Sequence, residues 1–383
     1  MGKVERSGPL AGFRVIEVAG VGPGPFCAML LADMGADVLR IERAGAEPLV
    51  PPIDPVKNSL HRGRRSVTLN LKDARQRDVL LDLVEKADVL LEGYRPRVME
   101  RLGVGPEICL ERNPSLVYAR MTGWGQTGPL ADKAGHDINY FALSGSLGLC
   151  GRPGEAPLPN LNLVADMGGG GMMLAFGIAC ALLEAGRSGQ GQVIDAAMTE
   201  GAALLATMIH SYRAMGRWSD RRGENFMDGG APFYEVYRTA DDGWMAVGAI
   251  ESKFYADLLR GLGIDPADFP HQHDRASWPA MKARFAKIFA ERTRAEWEEI
   301  FGALDACATP VLSPDEAAAH PHNRAREVFG MYSGVQQPLP APRFSRTPGR
   351  IAAPPPADDS GGLAALREWG LTGIEWLEDR EAA

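Results

Sequence analysis

Residues 14–41 read RVIEVAGVGPGPFCAMLLADMGADVLRI, and this stretch decides the fold. Arg14–Val18 is an apolar, β-branched run, followed by the turn-rich AGVGPGP. FCAMLLADMG then carries helical spacing, and ADVLRI at 36–41 returns to strand character. This is a βαβ unit, and the pattern recurs. SVTLNL (66–71), DVLLE (88–92) and SLVYAR (115–120) read as strands, with a helix over 73–86. Strands alternating with helices predict an α/β protein with a parallel sheet covered on both faces.

Further along, a helix is expected from near Asp166 to about Glu184, a strand at GQVIDAAM (191–198) and a helix over 199–216. The polar, Gly-rich RWSDRRGENFMDGGAP (217–232) reads as a linker. After it the character changes. FYEVYRT (233–239) and WMAVGA (244–249) form a hairpin around Asp242-Gly243, and amphipathic helices follow near 252–262, 278–291 and 293–303. This predicts a second, smaller α+β unit. Residues 337–356 are Pro-rich and are expected to wrap the surface in extended form.

Composition excludes several classes of function. The 383 residues carry a formal net charge of −8, which argues against a general nucleic-acid binder. The charge is uneven, however. Lys and Arg outnumber acids 13 to 10 between Arg40 and Arg101, leaving 28 against 39 elsewhere. A basic segment in an acidic chain suggests a local anion site. The five cysteines are scattered, which fits neither a disulfide framework nor a zinc site, so the expectation is a reducing compartment. The N-terminus lacks the apolar core of a signal peptide, and Glu381-Ala382-Ala383 matches no peroxisomal address. The apolar run MMLAFGIACALL (172–183) is too short by itself to span a bilayer. A cytoplasmic protein without membrane insertion is expected.

Gly20, Gly22 and Gly24 follow the first strand and Glu42 ends the second, much as in a dinucleotide-binding unit. The third glycine of GxGxxG would fall at position 25, which is Pro25, and Pro23 stiffens the turn further. The fingerprint fails where backbone must approach a pyrophosphate, so no nicotinamide cofactor is expected. Arg40, Lys72 and Arg95 each read as lying at the carboxyl end of a strand, the edge where parallel sheets bind ligands. With Tyr94 nearby, they would suit a ligand bearing several phosphates and a flat ring, such as coenzyme A. His136 sits in a Gly-rich loop beside Asp137. Asp166 opens a helix whose first turn is Gly168–Gly171, with an N-cap as its ordinary role. Glycines cost a helix about 1 kcal/mol each relative to alanine. They also bare amide groups that could hold an oxyanion.

Several stretches together resemble the class III coenzyme A-transferase family. They are PLAGFRVIEVAGVGPGPFCAMLLADMGADVLRIER, MTGWGQTGP with GHDINY (121–140), NLVADMGGGG, DGGAPFYEVY, VGAIE and PAPRFSRTP. Within it, the chain is most similar to the racemases that act on 2-methylacyl-CoA thioesters. The resemblance implies a Rossmann-like large domain from residues 1–200 and 325–383 and a linker over 201–232. It also implies a small domain over 233–324, with a second linker near 310–330. It implies an interlocked homodimer of ring-like chains, whose active site lies between the large domain of one and the small domain of the other. His136 and Asp166 match the family's acid/base pair, and Glu251 matches a carboxylate that supports the histidine. Arg40, Leu69, Asn70, Leu71, Lys72, Gly93, Tyr94, Arg95 and Arg101 match coenzyme A contacts. Gly135, Asp137, Ile138, Asn139 and Tyr140 match the loop lining the thioester, and Arg62 a further site residue. Two departures stand out. The segment from Arg43 to Arg62 is long and Pro-rich, and Arg97 stands where glycine is common.

The resemblance thus implies inversion of a 2-methylacyl-CoA at its α-carbon, with no cofactor beyond the coenzyme A of the substrate. Two bases on opposite faces, His136 and Asp166, would move the proton through an enolate. Amides near Gly168 and Gly169 would hold the enolate oxygen. Acyl-CoA transfer with Asp166 as nucleophile is the alternative. A non-catalytic acyl-CoA-binding protein is a third reading, one that needs none of His136, Asp166 and Glu251.

Overall fold

The computed structural model describes residues 6–45, 53–265, 267, 271–356 and 361–377. Part of the Pro-rich segment, residues 46–52, and the C-terminal 378–383 lie outside the described residues. By internal contacts the chain divides into two units. One comprises Met1–Ser144, Asn160–Leu205 and His322–Ala383; the other Gly145–Pro159 and Ala206–Pro321.

The first unit begins with β1 (Arg14–Val18), α1 (Pro23–Asp33), β2 (Asp37–Arg43), β3 (Arg64–Leu69), α2 (Ala74–Val84) and β4 (Val89–Glu92). It continues through α3 (Val98–Arg101), α4 (Pro106–Arg112), β5 (Val117–Thr122) and α5 (Asp137–Leu143) to α6 (Met173–Ser188), β6 (Gln192–Ala197) and α7 (Met198–Leu205). The strands pair in the order β3-β2-β1-β4-β5-β6, every pair parallel. The core is made by inward-facing apolar residues of the strands, Ile16, Leu39, Leu90 and Tyr118, against Leu80 and Leu83 of α2. The strand order reverses between β1 and β4, from β1-β2-β3 on one side to β4-β5-β6 on the other, which opens a crevice at the carboxyl ends of those strands. The turn after β1 is built for starting a helix. Gly22 takes a φ of 68°, and prolines stand within the first turn of α1, where a missing N–H costs nothing.

Leu163–Met172 winds as a π-helix and runs directly into α6. The helix therefore starts one turn before Asp166 rather than at it. The continuous span Leu163–Ser188 has 26 residues and contains an 18-residue stretch of mean hydropathy 1.5, enough by length and composition to cross a membrane, unlike the apolar run taken alone. The glycines here serve packing. A Cβ on Gly169 would lie 2.6 Å from the Ala202 nitrogen of α7, and one on Gly171 would lie 2.7 Å from the Phe26 ring of α1. Gly201 faces Gly169 across the same crossing. The atoms that a Cβ at Gly169 would meet are all backbone, so Gly169→Ala is expected to destabilise the protein by about 1–3 kcal/mol. A urea unfolding midpoint equal to that of the native chain would contradict this.

Besides Gly145–Pro159, the second unit contains α8 (Thr207–Ala214), separated from α7 by a break where one helix was expected over 199–216. Residues 217–232 are knitted into this unit. The Asp228 carboxylate accepts from the backbone N–H of Gly223 and of Asn225 (both 2.8 Å) and from the side chain of the buried Asn225 (2.7 Å). The hairpin forms as expected from β7 (Tyr234–Arg238) and β8 (Trp244–Gly248), with Asp242 at a φ of 61°. α9 (Ser252–Gly261), α10 (Trp278–Phe289) and α11 (Arg294–Gly302) match the amphipathic periods, and β9 (Ala308–Pro310) adds a third strand beside β8. Phe233, Phe285, Phe289 and Trp297 make the centre of a separate aromatic core.

Two short helices, α12 (Pro314–Ala319) and α13 (Pro321–Ala325), precede an antiparallel pair in the first unit, β10 (Phe329–Tyr332) and β11 (Val335–Pro338). The last helix, α14 (Gly362–Glu368), lies on β3. Trp369 just beyond it donates its indole N–H to Asp37 at 2.8 Å, and Glu368 pairs with Arg65 at 2.6 Å.

Candidate active site

A cavity of about 450 Å³ opens at the switch point of the sheet. Its walls are the turn after β1 (Gly20–Pro25), the turn after β4 (Gly93–Pro96), the β5 end (Met121–Trp124), the loop Lys133–His136, and Asp166. A second cavity, of about 380 Å³, shares Val18 and Tyr94 with the first. It is lined by Ile41–Ala44, Leu69–Lys72, Val98 and Leu102. The two lie next to each other, at the carboxyl ends of β1, β2, β3 and β4.

The GHDINY segment is a loop that clamps itself. His136 stands immediately before α5, its backbone N–H bound by the Asn139 side chain at 3.0 Å. Tyr140 is buried, donates its hydroxyl to the Gly135 carbonyl, and packs edge-on to Trp124 at 4.7 Å. A Cβ on Gly123 or Gly135 would run into the Tyr140 ring, so these glycines make room for it. The His136 side chain is thereby left exposed at the cavity wall.

Asp166 lies in the first turns of the π-helix, facing the same cavity. Its carboxyl is pushed up to about 6, chiefly by burial and next by the negative charge of Asp137; Asn162 and His136 oppose the shift. At neutral pH such a group exchanges protons readily, which suits general acid/base work. Asp137 itself is buried, and its Oδ2 accepts from the backbone N–H of Ala165 and of Asp166, both at 2.8 Å.

The structure brings some of the expected site residues together and uses others elsewhere. Gly93, Tyr94, Arg95, Gly135, His136, Tyr140 and Asp166 line the first cavity; Leu69, Asn70, Leu71, Lys72 and Tyr94 line the second. Ile138 is exposed on α5, and Asn139 holds the loop. Arg40 is not at a strand end, because β2 continues to Arg43. Its guanidinium is buried and held by Glu17 at 2.6 Å and by Glu42. Arg43 takes the strand-end place in the second cavity. Arg62 is buried too, with Asp33 at 2.6 Å, Gln337 at 2.7 Å and the Pro338 carbonyl at 2.8 Å as partners, so it ties α1 to β11. Arg101 is exposed on α3. Arg97 has a φ of 66°, which explains why glycine suits that position, and it pairs with Asp132 at 2.5 Å.

Gly168 and Gly169 sit inside the π-helix, where the i→i−5 ladder engages their amides with the helix's own carbonyls. They are therefore not the open donors expected for an enolate oxygen. Glu251 lies in the second unit, exposed and immediately before α9. Sequence reasoning missed Glu92, a buried carboxyl under the cavity that is raised to about 7 by burial, against the opposing N–H of Tyr94 and Arg120. It also missed Arg43 and Lys133. The strand-end position of Glu92 and Arg43 was the available signal.

A doubly wound parallel sheet whose switch-point cavity is lined by a histidine and an aspartate defines an α/β class of protein, and sequence similarity gives it a family. The model of CoA-transferase family III matches residues 10–360. The chain belongs to CoA-transferase family III. It is 50% identical to the α-methylacyl-CoA racemase of Mus musculus over 372 residues, covering 96% of this chain and 95% of the relative. The Homo sapiens α-methylacyl-CoA racemase is likewise 50% identical, over 88% of this chain and 87% of the relative. Among solved structures, a CaiB/BaiF family protein from Brucella suis superposes with a TM-score of 0.81 at 25% identity, covering 95% of this chain and all of that one.

Proposed function

We propose that the chain is an α-methylacyl-CoA racemase that inverts 2-methylacyl-CoA thioesters by two-base proton transfer. The observation that carries this reading is that His136 and Asp166 line one cavity, the former exposed and the latter poised with its carboxyl at about 6. One group removes the α-proton while the other returns a proton to the opposite face, and the roles exchange in the reverse direction. The second cavity, with Asn70, Lys72 and Arg43, would take the nucleotide end of coenzyme A, and Tyr94 would mark the passage toward the thioester. No cofactor is needed beyond the coenzyme A that the substrate brings.

We further propose a homodimer in which Glu251 of a second copy supports His136. The apolar side chains of Phe176 (65% exposed), Leu183 and Met172 on the long helix support a partner surface. Asp166 and the tightly packed Gly169–Gly171 turn within that helix support a core helix of a soluble cytoplasmic dimer over a membrane span. The test of the activity uses one epimer of a 2-methylacyl-CoA in deuterated water, without an acceptor acid. Epimerisation with deuterium entering the α-position is expected. No α-exchange, with coenzyme A moving to a free carboxylate once one is added, would instead mean acyl-CoA transfer through Asp166.

A further inference from the structure

Asp137 stands out among the residues that the mechanism leaves unused. It is 5% exposed, directly follows His136 in the chain, and has one carboxylate oxygen bound by the backbone N–H of both Ala165 and Asp166 at 2.8 Å. With that oxygen engaged by two amides, Asp137 is poorly placed to contact a thioester, the role implied for its loop by sequence.

We propose that Asp137 is the positioning residue of this site: its carboxylate ties the Asp166 backbone to the segment carrying His136 and so sets the separation of the two proton-transfer groups. This rests on the racemase reading above. An aspartate at a helix start is ordinarily a local cap from the N-cap residue itself. Here the N-cap is Asn162, which caps no amide with its side chain, and the acceptor comes from 28 and 29 residues away. A long-range buried carboxylate is a costly way to satisfy two amides unless the joint it makes matters. The joint falls between the two groups that must reach opposite faces of one carbon. His136 is fixed from its other side by the Asn139 clamp, so the two bases hang from a single bonded frame.

The same carboxylate adds negative charge beside Asp166. The other polar groups facing Asp166 are His136 and Tyr140 from the loop and α5, and Asn162 ahead of the π-helix; Gly22 at the start of α1 brings no charge. Removing the charge of Asp137 while keeping its oxygen should therefore let Asp166 ionise at lower pH.

The experiment compares Asp137→Asn with Asp137→Ala. The asparagine oxygen can still accept from both amides, whereas alanine accepts from neither. For Asp137→Ala we expect kcat for α-proton exchange to fall on the order of 100-fold with KM changed less than about threefold, as for a misplaced catalytic group. For Asp137→Asn we expect most of that loss to be recovered. In the direction where Asp166 is the base, the acid limb of its pH profile should move to lower pH. Equal losses in both variants with an unmoved limb, or a rise in KM alone, would overturn the proposal. A carboxyl ¹³C titration of Asp166, assigned by its disappearance in Asp166→Asn, reads the same group without turnover. A titration midpoint unchanged in Asp137→Asn would overturn the electrostatic part whatever the reaction. Absence of α-exchange in the native chain would count against the racemase reading, whereas native exchange with an unimpaired Asp137→Ala would count against Asp137.

Discussion

Replacing His136 by alanine is expected to lower α-carbon inversion by on the order of 1,000-fold, within the range for loss of a general acid or base. Affinity for a 2-methylacyl-CoA should change little. The asymmetry follows from the construction of the loop. His136 exposes its side chain at the cavity wall, while its backbone is held by Asn139 and by the buried Tyr140 beside it. Removing the imidazole deletes a proton-transfer group and leaves the frame standing. The cavity that would hold the nucleotide is lined by Asn70, Leu71 and Lys72, none of which touches the loop's hydrogen bonds. Stopped inversion with a near-native dissociation constant for the thioester is therefore the expected pair of results. Retained inversion would remove His136 from the mechanism. Loss of binding in step with activity would make it a substrate contact instead.

The contrast between the loop and the buried arginines explains what the sequence made legible. The period-2 and period-3.6 patterns located β1, α1, β4 and the hairpin well, because each buries one clear apolar face. They could not give the order β3-β2-β1-β4-β5-β6, since pairing depends on contacts far apart in the chain. His136 and Asp166 were readable because glycine and charge interrupt the apolar pattern there. The π-helical turn was not: Gly169 and Gly171 look like openings for a ligand, and only the crossing with α7 and α1 reveals them as packing contacts. Arg40 and Arg62 failed for a related reason. Whether such a cation faces a ligand or a buried acid depends on residues far away in the chain, here Glu17 and Asp33.

Glu17 provides the second large expected effect. It is 1% exposed on β1, and its two carboxylate oxygens bind Arg40 of β2 at 2.6 Å and Arg64 of β3. Arg64 depends heavily on this acid, since its Nε and Nη2 have no hydrogen-bond partner among the described residues. Burial alone would push the Glu17 carboxyl up; Arg64 and Arg40 outweigh it and hold it below the usual 4.5. Its contribution is therefore fully present above the unfolded-state pKa and is lost as pH falls through the lower folded value. Glu17→Gln keeps the shape and removes the charge, leaving two buried cations without their shared counter-ion. Breaking a buried pair in this way costs about 3–5 kcal/mol, so the unfolding midpoint in urea at neutral pH should drop sharply. Adding Arg64→Met to Glu17→Gln removes one stranded cation, and the double variant should recover part of the loss. A double variant less stable than Glu17→Gln by the full cost of a further core substitution would mean that Arg64 is held by packing rather than by charge. Glu17 also lines the cavity at the carboxyl ends of β1 and β4. That links the stability of the sheet centre to the shape of the site above it.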